Sequence, residues 1–222
     1  MFRSGREAVP TPGSVTVMAK SGRRAARGQD RASARAALVE AVISVLDAEG
    51  FAHTSARVVA QAAGVAPGVI YYHFESMDGL LAAALDAVTE QRLDRMRVAL
   101  ANDPADEADG PWSARLVAAI RHEVEGAAGS AALEMTIGAK TSPQLAEAAR
   151  RNLDRSVEMV AAFCGAALAD AGVTSPVSTE LIAEVAASCF LGLEVFAQLG
   201  RPIDIDAIVL PLVVLFGSLD AT

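Results

Sequence analysis

Apolar residues first recur at helical spacing from about Asp30. Leu38, Val42, Val45 and Leu46 fall at i, i+4, i+7 and i+8, one face of a helix. Gly50 stops that helix after Glu49, because glycine tolerates the left-handed conformation of a helix end. The pattern then shortens. A helix over about 55–62, capped by Thr54 or Ser55, breaks at Gly64, and a second starts where Pro67 fits a first turn and runs through Tyr72. A longer periodic segment covers about 78–101, with Leu81, Leu85 and Val88 inward. After the acidic stretch NDPADEADGP (102–111), which reads as a loop, helices are predicted near 112–126, 130–140, 143–171, 178–199 and 205–219. Pro211 inside the last of these predicts a kink or a late start. No strand alternation of any length occurs. The pattern predicts an all-α protein of about nine helices: residues 1–29 as a disordered basic arm, 30–77 as an N-terminal three-helix domain and 78–222 as a C-terminal helical domain.

Composition sharpens this. Of 222 residues 52% are hydrophobic but only 5% aromatic, so the core is built mostly of Ala, Leu and Val, which suits close-packed helices. The net charge of −8 argues against nucleic acid until it is divided along the chain. Residues 1–100 carry 12 basic against 10 acidic side chains, and residues 101–222 carry 7 against 17. The first 35 residues alone hold 8 basic and 2 acidic groups, so a basic arm precedes a near-neutral domain and an acidic one. Met18, inside that arm, is a second candidate start of translation. Cys164 and Cys189 sit in apolar stretches without CxxC spacing and read as buried thiols in a reducing compartment. No signal peptide is expected at the N-terminus. The most apolar run, AIVLPLVVLFG, spans 11 residues, against about 20 for a membrane helix. A cytoplasmic protein without membrane contact is expected.

Residues 54–74, TSARVVAQAAGVAPGVIYYHF, carry the chemistry. Val58, Val59 and Ala62 are placed to pack inward from the first short helix against Val65, Val69 and Ile70, with Gly64 allowing a tight turn between them. Two short helices crossing over such a turn form a helix-turn-helix unit, whose second helix enters the major groove of DNA. Thr54-Ser55, Val59-Ala60, Ala63-Gly64-Val65, Gly68, Ile70-Tyr71, His73-Phe74 and Leu80 together resemble the DNA-binding domain of TetR-type (tetracycline-repressor family) transcriptional regulators.

The resemblance implies that 30–77 is a helix-turn-helix DNA-binding domain and 78–222 an effector-binding and dimerisation domain. It implies DNA contacts from Ser55 and Arg57 on the first short helix, and from Pro67, Gly68, Val69, Tyr71, Tyr72 and His73 on the recognition helix and its exit. Tyr and His bond phosphate oxygens, and Val69 offers an apolar surface to a thymine methyl. Tyr71 also reads as a core ring with only its hydroxyl outward. Arg23, Arg24, Arg27 and Arg31 read either as an arm reaching a neighbouring groove or as a solvated tail. Arg35, on the outer face of the first helix, reads either way as well. The chain departs from the family pattern at Ala66, where a capping Ser or Thr is usual, and at Met77, where Lys is frequent.

No catalytic motif is present: the residues three before His53, His73 and His122 are Gly50, Ile70 and Ala119, so no Glu-x-x-His pair exists for a di-metal site. No metal site and no cofactor are expected, and His122, Glu123 and Glu125 read as a polar helix face. Trp112, Met135, Met159, Phe163, Phe190 and Phe196 are bulky apolar residues that each read alone as plain core and as a set on several helices would enclose a ligand pocket. Glu134 and Glu194 lie beside them and read either as facing such a cavity or, the preferred reading, as surface residues. Residues 205–219 are apolar on every side (Ile205, Ile208, Val209, Leu212, Val213, Leu215, Phe216), which predicts a homodimer through 178–199 and 205–219, with Leu181, Val185, Leu193 and Leu199 contributing. The partners expected are therefore double-stranded DNA with a palindromic operator, a second copy of the chain, and an unknown small-molecule effector. The function expected is that of a repressor released from its operator by an apolar or amphipathic ligand, the alternative being a dimeric regulator with no effector.

Overall fold

The computed structural model describes residues 12–100, 112–170, 172 and 174–208, leaving aside the side chains of 12–30, 112–116, 127, 128, 167 and 170. The described residues form α1 (Pro12–Glu49), α2 (Ala56–Ala62), α3 (Gly68–Phe74), α4 (Met77–Leu100), α5 (Trp112–Glu125), α6 (Ala127–Gly138), α7 (Pro143–Asp170) and α8 (Thr179–Gln198), with further helical residues at 205–208. Short 3-10 turns occupy Phe51–His53 and Ala139–Thr141. Among the described residues there is no strand, so the all-α expectation holds. The expected loop at 102–111 and the apolar residues Val209, Leu212, Val213, Leu215 and Phe216 lie outside the described residues.

Two compact units divide the chain, residues 1–37 and 38–222. In the first, helical backbone begins at Pro12, upstream of the apolar periodicity that starts near Asp30. The segment AKSGRRAARGQDRASARAA holds seven Ala and five Arg, both strong helix formers. The part of the expected disordered arm from Pro12 to Gln29 is thus helical.

The second unit holds one continuous apolar core, and it crosses the expected boundary at 77/78. Leu38, Val42, Val45 and Leu46 of α1 meet Val59 and Ala60 of α2, and Ile70 and Phe74 of α3. The same cluster continues through Leu80, Leu81, Leu85 and Val88 of α4 to Ala131 and Met135 of α6 and Leu145 of α7. Burying side chains of this size stabilises by roughly 1.5–3 kcal/mol each. A smaller cluster joins Val117 and Val124 of α5, Leu193 of α8 and Ile205, with Phe190 packed against it. Helix α4 is the common element: it packs against α3, α5, α6 and α7.

Candidate nucleic-acid interface

Helix α2 starts at Ser55, whose hydroxyl accepts from Val58 N at 3.4 Å, while Thr54 Oγ1 donates to Gly50 O at 2.8 Å. Val59 and Ala60 face the core, leaving Ser55 and Arg57 exposed on the outside. The helix ends where Val65 N donates to Ala60 O (2.9 Å) and Gly64 adopts φ 67°, a left-handed conformation that a β-carbon would strain. Helix α3 then begins with Pro67 at its N-cap and without a side-chain cap. Its first bonds are Val69 N to Ala66 O (2.9 Å) and Ile70 N to Pro67 O (3.2 Å), so the alanine at 66 leaves this start to the backbone alone.

Only two residues of α3 are buried, Ile70 and Phe74, four apart on one face. That anchors the helix and turns the rest outward. Tyr71 is 53% and Tyr72 64% exposed, so the core reading of the Tyr71 ring is set aside. Pro67 and Gly68 are exposed, Val69 and His73 half-buried. His73 stands edge-on to Tyr72 with ring centroids 5.1 Å apart. Of the eight residues expected to meet DNA, six are exposed and His73 is half-buried, whereas Val69 packs half-buried against the main core. Ala62, expected inward, is exposed, because a seven-residue helix has only one buried stripe.

The exit from α3 is strained. Glu75 has φ 65°, and among the described residues it is the one non-glycine residue with positive φ. Ser76 then caps α4, accepting from Gly79 N at 2.9 Å. Met77 packs half-buried against the main core, which accounts for an apolar residue where the family frequently has Lys. Arg31 and Arg35 are exposed, and the side chains of Arg23, Arg24 and Arg27 lie outside the described residues.

The six bulky residues expected around a pocket have different surroundings. Met135 is fully buried in the main core. Phe190 packs on the smaller cluster with the Arg92 guanidinium 5.0 Å above its ring. Phe196 is 41% exposed beneath Arg201. Met159 lines a groove of about 380 Å³ with Leu93, Arg97, Arg155, Glu158 and Ala162. Phe163 is half-buried, and the Trp112 side chain lies outside the described ones.

What the sequence reading missed is a buried charge cluster. Arg92 of α4 donates to Glu123 of α5 (3.0 Å) and to Glu194 of α8 (2.6 Å), and Arg95 reaches Glu123 at 2.5 Å. The Glu123 and Glu194 side chains are 0% and 5% exposed, so neither the polar-face reading of Glu123 nor the surface reading of Glu194 stands. Burial pushes the Glu194 carboxyl up to about 7 against the pull of Arg92, with the Glu123 charge adding to the rise. Glu134 is half-buried rather than on the surface, because it accepts from Phe51 N at 2.9 Å. Cys164 is buried, with its thiol pushed up by that burial, but Cys189 is exposed on α8, contrary to expectation. Among the described residues no three His, Cys, Asp or Glu gather as metal ligands, and no helix is long and apolar enough to cross a membrane.

The domain model described as "Bacterial regulatory proteins, tetR family" matches residues 38–84, the segment that contains α2 and α3. HTH-type transcriptional regulators of Mycobacterium tuberculosis and Mycobacterium bovis are each 29% identical over 119 residues, 54% of this chain and 60% of theirs. The matched part therefore spans about 60% of the length of these curated relatives. Among solved structures, a TetR transcription regulator from Haloarcula marismortui superposes with a TM-score of 0.66 at 19% identity, covering 86% of this chain and 98% of that one. The fatty acid degradation regulator FadR from Bacillus halodurans gives 0.64 at 17% identity, covering 83% and 95%. Two short helices over a tight turn, sharing one core with α4, α6 and α7, have the arrangement of a helix-turn-helix unit. Residues 38–84 carry the match to the tetR family of bacterial regulatory proteins, and the chain as a whole is similar in fold to solved TetR regulators.

Proposed function

We propose that the chain acts as a homodimeric repressor that binds a palindromic operator and is released by a small apolar or amphipathic ligand. The observation that carries the DNA reading is helix α3, where Ile70 and Phe74 are buried and Tyr71 and Tyr72 project outward. Arg57 on α2 adds a cation, and Ser55 and His73 add groups that bond phosphate oxygens. Two such heads related by a two-fold axis meet successive major grooves about 34–36 Å apart, which requires an inverted-repeat operator. Dimerisation is supported by α8, which leaves Leu181, Val185, Phe196 and Leu199 exposed in the single chain, whereas Leu193 is turned into the chain's own core. Release is a population shift: a ligand that favours wrongly spaced heads weakens operator binding 100-fold if its affinity for the two states differs by about 2.7 kcal/mol.

The groove containing Met159 is where such a ligand would first be sought, since α4 forms one wall and leads into the head. A dimeric regulator without an effector is the second reading, and it is supported by Met135 being fully buried among the apolar residues of the main core. The test is a binding titration with duplexes selected by the full chain from a randomised library. Tyr72→Ala and Arg57→Ala are expected to weaken binding while thermal midpoint and dimer mass stay unchanged, and affinity is expected to fall steeply with salt. Binding indifferent to salt and to both substitutions overturns the DNA reading. Thermal stabilisation across a compound library separates the ligand-released reading from the effector-free one.

A further inference from the structure

The turn between α1 and α2 is held from outside the reading head. Phe51, immediately after α1, donates its backbone N–H to Glu134 Oε2 of α6 at 2.9 Å across 83 residues of sequence. Its ring lies on Gly138, the last residue of α6. A β-carbon built there would stand 2.2 Å from Cε2, 2.3 Å from Cζ and 2.7 Å from Cδ2 of Phe51. Glycine is therefore the residue that lets the ring seat. On the other side of the head, Ser76 Oγ donates to Gln144 Oε1 of α7 at 3.2 Å. The head is gripped before α2 by α6 and after α3 by α7, in addition to its covalent run into α4.

We propose that the Phe51 seat sets the angle of the reading head, making Glu134 and Gly138 positioning residues for operator recognition, a role that rests on the DNA reading above. Neither residue belongs to the exposed faces of α2 and α3, so neither supplies affinity to DNA. What each supplies is placement: the carboxylate fixes the height of the Phe51 backbone, and the bare α-carbon of Gly138 fixes how closely the ring approaches. In a two-fold dimer an error in head angle enters twice, once per head, and both recognition helices must still fall one helical turn apart. The seat is also soft in the right way. The atoms a methyl group at Gly138 would meet are the far end of the Phe51 ring, so the turn moves while the backbone of α6 keeps its course.

The experiment uses the full chain and the tightest duplex it retains from a randomised library, together with the same duplex carrying one base pair more or fewer at its centre. Gly138→Ala is expected to raise affinity for an altered spacing relative to the parent by about tenfold, with the thermal midpoint kept. Glu134→Leu, which removes the acceptor, is expected to shift the ratio as well, whereas Glu134→Gln keeps an acceptor oxygen and the unmodified ratio. In a Phe51→Ala background, Gly138→Ala is expected to have no further effect. Unchanged spacing ratios in folded Gly138→Ala and Glu134→Leu overturn the proposal, as does an effect of Gly138→Ala that survives loss of the Phe51 ring. If Gly138→Ala does not fold, the Glu134 pair decides. If the unmodified chain retains no duplex at all, the DNA reading fails and the seat fails with it.

Discussion

Between residues 38 and 74 the buried side chains are all apolar, whereas between α4, α5 and α8 two carboxylates are buried with an arginine between them. The side chains buried in the reading head are Ala, Leu, Val, Ile and Phe, packed on shape, and its polar ties to α6 and α7 lie at its edges. The second region spends polar groups inside. Arg92 is held by two different helices at once, so its position fixes α4 against α5 and α8 together. An apolar contact tolerates sliding, but a shared guanidinium does not, because each carboxylate left without its partner is a desolvated charge. The chain thus builds the helices beneath its candidate DNA face on apolar packing, and ties α4, α5 and α8 together through buried ion pairs.

The comparison is broken most severely at Arg92. Arg92→Met keeps the volume but leaves Glu194 buried without its counter-charge and Glu123 with Arg95 alone. A loss of about 3–5 kcal/mol is expected from urea unfolding at pH 8, where Glu194 is ionised, against changes within about 0.5 kcal/mol for Arg57→Ala on the exposed face of the head. Replacing Arg92, Glu123 and Glu194 together by apolar residues of similar volume is expected to restore most of that stability. A loss below about 1 kcal/mol for Arg92→Met would show that water reaches the cluster and that the two regions do not differ in kind.

A second effect concerns pH. The Glu194 carboxyl stands at about 7 in the folded chain against an ordinary value of 4.5, so the folded state holds a proton that the unfolded state has released. Between those values stability therefore falls as pH rises, and above about 7 the whole cost of burying the charge is present. Glu194→Gln carries no such proton. Its unfolding midpoint is expected to track the unmodified chain near pH 5 and to equal or exceed it at pH 8, the histidines cancelling in the difference. Parallel profiles across this range would mean that Glu194 does not titrate there. No comparable slope is expected from the apolar core of the head.

The same contrast explains what could be read in the sequence. In the head, Leu38, Val42, Val45 and Leu46 are buried as their spacing requires, and Gly64 ends α2 as glycine should. Local pattern decides such features, because the partners are a turn or two away or across one tight bend. The charge cluster had a signal too. Arg92 continues the inward line Leu85–Val88, Glu123 lies between Ile120 and Val124, and Glu194 follows Leu193, so each charge interrupts an apolar face. What the pattern lacks is the pairing. Arg92 meets Glu123 and Glu194 across 31 and 102 residues, and no spacing rule reaches that far. The bulky residues differ again: Met135 and Phe190 carry no mark of whether their surroundings are packed or hollow, since both settings ask for the same side chain.

The smallest expected effect sharpens the head's own division of labour, at Ser55. Its hydroxyl caps α2 through a long 3.4 Å contact with Val58 N, and the residue is exposed, so the capping contribution belongs at the weak end of the usual range. Ser55→Ala is expected to cost about 0.5–1 kcal/mol of stability and also to weaken DNA binding through loss of a phosphate contact. Ser55→Asp separates the two roles. Aspartate caps as well as serine and its charge suits a helix N-terminus, so stability is expected to stay within about 0.5 kcal/mol of the unmodified chain. Facing phosphate, the same carboxylate repels, so operator affinity is expected to fall further than in Ser55→Ala. Thermal melts beside anisotropy titrations of both variants read the two quantities independently. If Ser55→Asp binds DNA as well as the unmodified chain does, Ser55 is a cap and no more, and the phosphate contacts of α2 fall to Arg57.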